Sequence, residues 1–513
     1  PILRAKAIAF ENASGRDHAV LDELGNTVLY GHPDAQAIFT RIQVENDSLL
    51  ILRNTVEGER PVGFASYREI GNDELYGVLK DMELANLVRG KSSREILLIT
   101  GIYAREENTG DSEMIRDAAQ QLLVEVVAKE LEKNYSFALF AAERGTAAKH
   151  VVYALERQGF VRPHLADEND KRTIYLVDMH EPLMFLHNLE TTIKEPFASN
   201  PAVLRAIEKN HKKLQIAMTK LYPGNLVLSL SSGVMHHRLV DRITSLNDVP
   251  REPLVPRRLG KNMCVPFGKI LRGKVVPNTV TKTLHTDKVY EPDLESYTIE
   301  PFPYYSPLNS QIETIHSFDR PVILVDDLVH KADRLRVLVP KLRETGIPIK
   351  KVVVGVLSGY GRDLMQQLKV PVESIYSMPN VRQWFVESTL YPFIGGDTVR
   401  REEMKVAGLQ PSINMILPYA TPKLSGCSRE ALVEFSACCI ENSRDLLQVL
   451  EAEYRKQYAK NLTLSRLSEA VILPLCPDKG SCMEYDENLA ASVYLENDLE
   501  MLQRMRKFMV TIQ

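Results

Sequence analysis

Two adjacent acids at the end of an apolar run are the sharpest chemical feature of the sequence. The segment reads Pro321-Val322-Ile323-Leu324-Val325-Asp326-Asp327-Leu328-Val329-His330-Lys331-Ala332-Asp333-Arg334. Four apolar β-formers precede the acids, and a short loop and a helix follow. Asp326 and Asp327 are therefore expected at the carboxyl edge of a parallel strand, where ligands of open α/β sheets bind. Two carboxylates there can accept hydrogen bonds from vicinal hydroxyls such as those of a ribose. The helix start behind them offers N–H groups and a positive dipole end to a phosphate. Lys331 and Arg334 add two cations able to hold a phosphate by charge. The competing reading is a strand end whose Asp caps the next helix, but a cap needs only one acid.

Other segments fit less sharply. Asn225-Leu226-Val227-Leu228-Ser229-Leu230-Ser231-Ser232-Gly233 reads as a strand running into a small-residue turn, so Ser231, Ser232 and Gly233 are candidates to present N–H groups to an anion. Residues 268–290 are rich in Lys, Arg and Thr, with Lys269, Arg272, Lys274, Lys282 and Lys288. They read either as a cationic lid, with Lys282 on the ligand, or as an alternating hairpin. His236 and His237 share a helix without metal-ligand spacing, and the six cysteines form neither a disulfide framework nor a close zinc pair. No metal-ligating set is read from the sequence. Trp384 lies in an aromatic stretch read as core rather than as a base-stacking platform.

These residues need elements to hold them. Apolar residues make up 44% of the 513 and charged residues 25%, which fits folded domains, and the length calls for two or three of them. A net charge of −4 argues against bulk nucleic-acid binding. No apolar run long enough to cross a membrane is present, and the start lacks a signal-peptide core, so a cytoplasmic protein is expected. Residues 1–185 read as mixed α/β: a hairpin at 48–67, a strand at 95–103, a helix through Met114–Val127, a strand at 137–140 and a helix ending at Gly159. Residues 186–225 read as a polar linker helix exposing Asn210-His211-Lys212-Lys213. Residues 226–400 alternate strands and helices in the manner of a parallel sheet, and 401–513 read as mainly helical.

The acid-pair segment resembles the phosphoribosyl-pyrophosphate motif of type I phosphoribosyltransferases, in which four apolar residues and two acids precede Thr-Gly-x-Thr. The resemblance implies that Asp326 and Asp327 bind the ribose hydroxyls, that Ser231–Gly233 touch pyrophosphate, and that Mg2+ bridges the ligand pyrophosphate. It departs at Lys331, Ala332 and Arg334, which replace the neutral phosphate loop. The stretch from about 225 to 420 also resembles the C-terminal region of uncharacterised bacterial cytidyltransferase-related proteins, implying an upstream nucleotidylyltransferase domain outside this chain. The order of elements in residues 1–185 resembles GNAT-type acyltransferases, and Tyr153 falls where some of them keep a general acid. Arg105 and Gly110 occur without that family's glycine spacing, so weak or no acetyl-CoA binding is expected. The expected architecture is a GNAT-like mixed α/β domain at 1–185, a phosphoribosyltransferase-like parallel-sheet domain at 186–410, and a helical region at 411–513. The expected function is binding of a small phosphorylated ligand, with phosphoribosyl transfer to an unknown acceptor. The alternatives are nucleotide sensing or scaffolding, and N-acyl transfer by the first module.

Overall fold

The computed structural model describes residues 8–55, 58–92, 95–105, 112–143, 148–163, 172–256, 258–401, 409–478 and 485–511. The first module contains β1 (Ile8–Ser14), α1 (His18–Asn26), α2 (Ala35–Glu45), β2 (Ser48–Asn54), β3 (Arg60–Ile70), α3 (Leu75–Leu79), α4 (Met82–Lys91), β4 (Ile96–Ala104), α5 (Ser112–Glu130), β5 (Phe137–Glu143), α6 (Lys149–Arg157) and β6 (Arg172–His187). β1 to β4 form an antiparallel meander, β5 joins β4 in parallel, and β6 returns antiparallel to β5. The continuous apolar run Leu49–Leu52 reflects burial on both faces. Leu50 and Leu52 pack in the core with α5, and Leu49 and Ile51 pack in the one with α1 and α2. The order expected for the first module is thus present.

The boundary expected at residue 185 falls inside β6. Its first half pairs with β5 and its second half pairs in parallel with β7 (Asn225–Ser231). Between them lies α7 (Pro201–Thr219), started by the side chain of Asn200, which accepts N–H bonds from Ala202 and Val203, with Pro201 in the first turn. This helix is not the solvated linker expected from its charges. Asn210 and His211 are buried, and Asn210 exchanges side chain–backbone hydrogen bonds with Asn442. The reason is tertiary: a long C-terminal helix covers the face that periodicity alone left open.

After α8 (Ser232–Leu246) comes a five-stranded parallel sheet. Its strands are β8 (Met263–Pro266), β9 (Val280–Thr281), β12 (Val322–Val329), β13 (Ile349–Ser358) and β14 (Val372–Met378), in the order β14-β13-β12-β8-β9. The hairpin β10 (Thr286–Tyr290) and β11 (Tyr297–Pro301) interrupts the series. α9 (Leu308–His316), α10 (Asp333–Glu344) and α11 (Gly359–Gln367) belong to the same region. Val352, Val354 and Leu357 of β13 pack with α9 and α10, while Val353 and Val356 face the core shared with α5 and α8. The expected crossover unit β12–α10–β13 is found, closed at Gly346.

The chain then crosses back. β15 (Gln383–Val386) pairs with the second half of β6, and β16 (Asp397–Val399), β17 (Gln410–Ile413) and β18 (Leu475–Pro477) complete a third sheet with β10 and β11. α12 (Arg429–Tyr458) and α13 (Ala491–Thr511) form the expected helical region, which also supplies β17 and β18. α12 packs on α7 and α13 through a separate apolar core. Among the described residues, no helix is long and apolar enough to cross a membrane.

Candidate functional site

β12 pairs with β8 only from Val322 to Val325, while its pairing with β13 continues to Val329. The two neighbours part where Asp326 and Asp327 begin, and this is also the point at which the strand order reverses. Such switch points open a crevice at the carboxyl edge of a parallel sheet. Both acids are buried. The two oxygens of Asp327 accept N–H bonds from Lys269 at 2.7 Å and Ile270 at 2.9 Å, and Asp326 Oδ1 accepts the N–H of Asp327 at 2.8 Å. Gly268 is what allows this wrap. A Cβ there would lie 2.6 Å from Asp326 Oδ1 and 2.6 Å from Asp327 Oδ1.

Cations and further acids surround the pair. Arg334 Nη1 lies 3.9 Å from Asp326 Oδ1. Burial pushes Asp326 up to about 7, against the opposing pull of Arg334. Arg272 lies over the Phe302 ring at 4.8 Å, and its charge interacts with Arg334, Asp287, Asp327 and Asp326. Lys288 sits over the Tyr297 ring at 3.6 Å. Asp397 is pushed up by burial, a rise opposed by Lys269 and then Lys288. The third sheet thus sets Asp287, Lys288 and Asp397 against the loop that holds the acid pair. Four cations and four acids meet there, a site suited to a ligand carrying hydroxyls and an anionic group.

Of the residues singled out in the sequence, Asp326, Asp327 and Arg334 come together with Lys269, Arg272 and Lys288 of the 268–290 stretch. Lys331 is exposed, and its charge is felt by Lys288 and His330. Lys282 is exposed beside His285. Ser231, Ser232 and Gly233 lie in a different sheet, where β7 turns into α8, and the Ser231 side chain caps that helix by accepting from Val234 N. The loop that wraps the acids is Gly268–Ile270, part of the stretch read as lid or hairpin. Its signal was present: Gly-Lys follows directly on the apolar β8 run. The hairpin half of that reading appears as β10–β11. Trp384 packs against the main core as expected.

A second opening lies in the first module. β4 and β5 pair only from Leu97–Ala138 to Ile99–Phe140, and both strands continue beyond. Thr100 stands at the fork. Its Oγ1 donates to Asp47 Oδ2 at 2.5 Å and lies 2.8 Å from Ser66 Oγ. Asp47 is buried, and burial raises its pKa. α5 starts a short loop after β4; residues 106–111 of that loop, including Gly110 and Asp111, are outside the described residues, as is Cys482. Tyr153 lines a groove formed with α7, α12 and α13, under Arg157 at 5.5 Å.

No protein-family model matches this chain, nor does any curated protein sequence. Solved structures align with about a third of it. A protein described as an acetyltransferase of the GNAT family, from Desulfovibrio desulfuricans, is 12% identical, covers 34% of this chain and 99% of its own, and has a TM-score of 0.25. The catalytic domain of the Tetrahymena GCN5 histone acetyltransferase in complex with coenzyme A is 10% identical over 34% of this chain and 93% of its own, with a TM-score of 0.22. FeeM, an N-acyl amino acid synthase from uncultured soil microbes, is 18% identical over 33% and 95%, with a TM-score of 0.24.

Proposed function

We propose that the first module is an acyl-CoA-dependent N-acyltransferase of the GNAT type. The observation that carries this reading is the parting of the parallel pair β4 and β5 after Ile99 and Phe140. Strand edges released in this way leave N–H and C=O groups free to pair with an extended ligand such as a pantetheine arm. α5 then starts close to the end of β4, and a helix start favours a pyrophosphate. In the reaction an amine attacks the thioester carbonyl, the C–N bond forms, the C–S bond breaks, and CoA leaves as the thiolate. The amine proton needs an acceptor, and Asp47, joined to Thr100 at the fork and raised by burial, fills that role. The missing glycine spacing predicts a weak hold on the pyrophosphate. Titration calorimetry with acetyl-CoA and longer acyl-CoAs is expected to give dissociation constants above the low-micromolar range. Asp47→Asn is expected to keep binding and lose CoA release with amine acceptors. Absence of heat with every acyl-CoA would overturn the reading.

The acid pair supports a second reading, binding of a phosphorylated ribose or nucleotide with Mg2+ on the ligand pyrophosphate. Its support is the placement of Asp326 at the switch point beside Arg334 and Arg272. Because Asp327 is committed to the loop, this geometry favours binding or sensing over phosphoribosyl transfer. A thermal-shift series with phosphoribosyl pyrophosphate and nucleoside phosphates tests it, since a ligand of the native state raises apparent stability. The shift is expected to vanish in Asp326→Asn with Asp327→Asn, and an equal shift in that variant would exclude the site.

A further inference from the structure

At the carboxyl ends of three parallel strands, β15, β6 and β7, three side chains from distant parts of the chain converge. His187 is the last residue of β6, Glu387 follows β15 directly, and His211 comes from the buried face of α7. Each offers one ligand atom, and these atoms lie within 4.8 Å of one another. Three of their buried polar atoms have no hydrogen-bond partner: His187 Nδ1, His211 Nε2 and Glu387 Oε2. His211 Nε2 and Glu387 Oε2 lie 2.6 Å apart as a buried ion pair, which leaves His187 Nδ1 as the atom without any partner. The other atoms of two ligands are held. His187 Nε2 contacts Ser229 Oγ, and Glu387 Oε1 accepts from Tyr391 OH at 3.4 Å. The supporting loops are tied by Asn188, whose amide bonds Ser388 Oγ and Ser388 N at 2.9 Å each.

We propose that His187, His211 and Glu387 form a binding site for a divalent transition-metal ion of the zinc class. Leaving a buried polar atom such as His187 Nδ1 unmade costs about 1–3 kcal/mol, and one cation placed among the three atoms satisfies it while taking the place of the proton between His211 and Glu387. Imidazole and carboxylate suit zinc and its first-row neighbours. Tetrahedral bonds of roughly 2.0–2.1 Å put ligand atoms about 3.3 Å apart, so the His211–Glu387 pair, at 2.6 Å, widens on binding. The contacts to Ser229 and Tyr391 are the outer partners that orient such ligands and fix the imidazole tautomer. Two His and one Glu leave a fourth position for water or substrate, the pattern of catalytic rather than structural zinc.

The test uses the full chain without a polyhistidine tag, stripped with chelator and dialysed against Zn(II), with bound metal read by mass spectrometry. About one ion per chain is expected. Glu387→Gln and His187→Ala should each weaken binding by more than about 100-fold, and Ser229→Ala by roughly 10–100-fold, as for outer partners. Failure of the wild type to take up Zn(II), Co(II) or Fe(II) overturns the proposal. Unchanged uptake in both ligand variants overturns it as well. Should the variants not fold, the visible spectrum of the Co(II)-loaded wild type decides. Four-coordinate ligand-field bands support the site, whereas a thiolate charge-transfer band or a weak six-coordinate spectrum excludes it.

Discussion

Both carboxylate oxygens of Asp327 accept backbone N–H groups, whereas of the facing atoms of His187, His211 and Glu387 two meet only each other, as a 2.6 Å ion pair, and His187 Nδ1 has no hydrogen-bond partner. The two regions share a position, the carboxyl edge of parallel strands, but differ in how their polar groups are satisfied. Around the acid pair the chain supplies its own donors to Asp327, and the charges of Lys269, Arg272, Lys288 and Arg334 oppose those of the acids, although Arg272 Nε is left without a hydrogen bond. Around Glu387 the chain supplies one partner, His211, and leaves His187 Nδ1 without any, a buried group that calls for an explanation. A self-satisfied cluster tunes a ligand that comes and goes. On the metal-site proposal, the second cluster takes a ligand that belongs to the native state.

The largest effect that would sharpen this contrast is expected at Asp327. Asp327→Ala removes the acceptor of two N–H groups, and hydrogen bonds to a charged group contribute about 1.5–3 kcal/mol each. A loss of about 3–5 kcal/mol is expected in chemical denaturation, with or without ligand. A loss below about 1 kcal/mol would show that the loop stands without the carboxylate. Next is Gly268→Ala. Its Cβ would meet both acids at 2.6 Å, and overpacking of this kind costs typically about 1–3 kcal/mol. The loop must lift away, so phosphate-dependent stabilisation is expected to fall along with stability; full retention of both would place the loop elsewhere.

The acid pair was legible in the sequence because its determinants are contiguous: four β-formers, two acids, a loop and a helix within fourteen residues. The histidine and glutamate cluster was not, because its three ligands come from separate elements and no local spacing links them. His211 was read as part of a solvated run because Lys212 and Lys213 follow it, and only the packing of α12 shows that its face is inward. The strands and helices of the first module were readable from their periods. The reuse of β6 by β7 and β15 was not, because parallel pairing between distant segments leaves no short-range signature. For the same reason nothing local shows that Ser231–Gly233 end a strand of a different sheet from the one that carries Asp326 and Asp327.

A smaller effect concerns pH. Burial raises Asp326 from its ordinary value to about 7, so the folded state binds this proton more tightly than the unfolded one. The resulting stabilisation is fully present below about pH 4 and is lost as pH rises through about 7. Asp326→Asn removes the proton linkage. The variant is expected to gain on the wild type as pH rises from 4 to 8, measured by denaturant midpoints at each pH. A stability difference that stays flat over this window would show that Asp326 is ionised throughout.

The smallest expected effect tests how the acid-pair region would hold a phosphate. Arg334 is part-buried and 3.9 Å from Asp326, while Lys331 is exposed on the loop before α10. An exposed cation is screened as the Debye length falls from about 10 Å at 0.1 M salt to about 3 Å at 1 M. A part-buried one is screened less. Lys331→Thr is therefore expected to change ribose 5-phosphate affinity by less than about threefold, the scale of about 0.5 kcal/mol for an exposed pair, and to flatten its salt dependence. Arg334→Thr should cost about tenfold or more, because a hydrogen bond to a charged group contributes about 1.5–3 kcal/mol. It also removes the cation that opposes the raised pKa of Asp326, so Asp326 is expected to keep its proton to higher pH in the variant than in the wild type. Equal effects of the two substitutions, or a larger one at Lys331, would mean that the phosphate sits outside the crevice on the loop, and that the switch point between β8 and β12 is not the ligand's position.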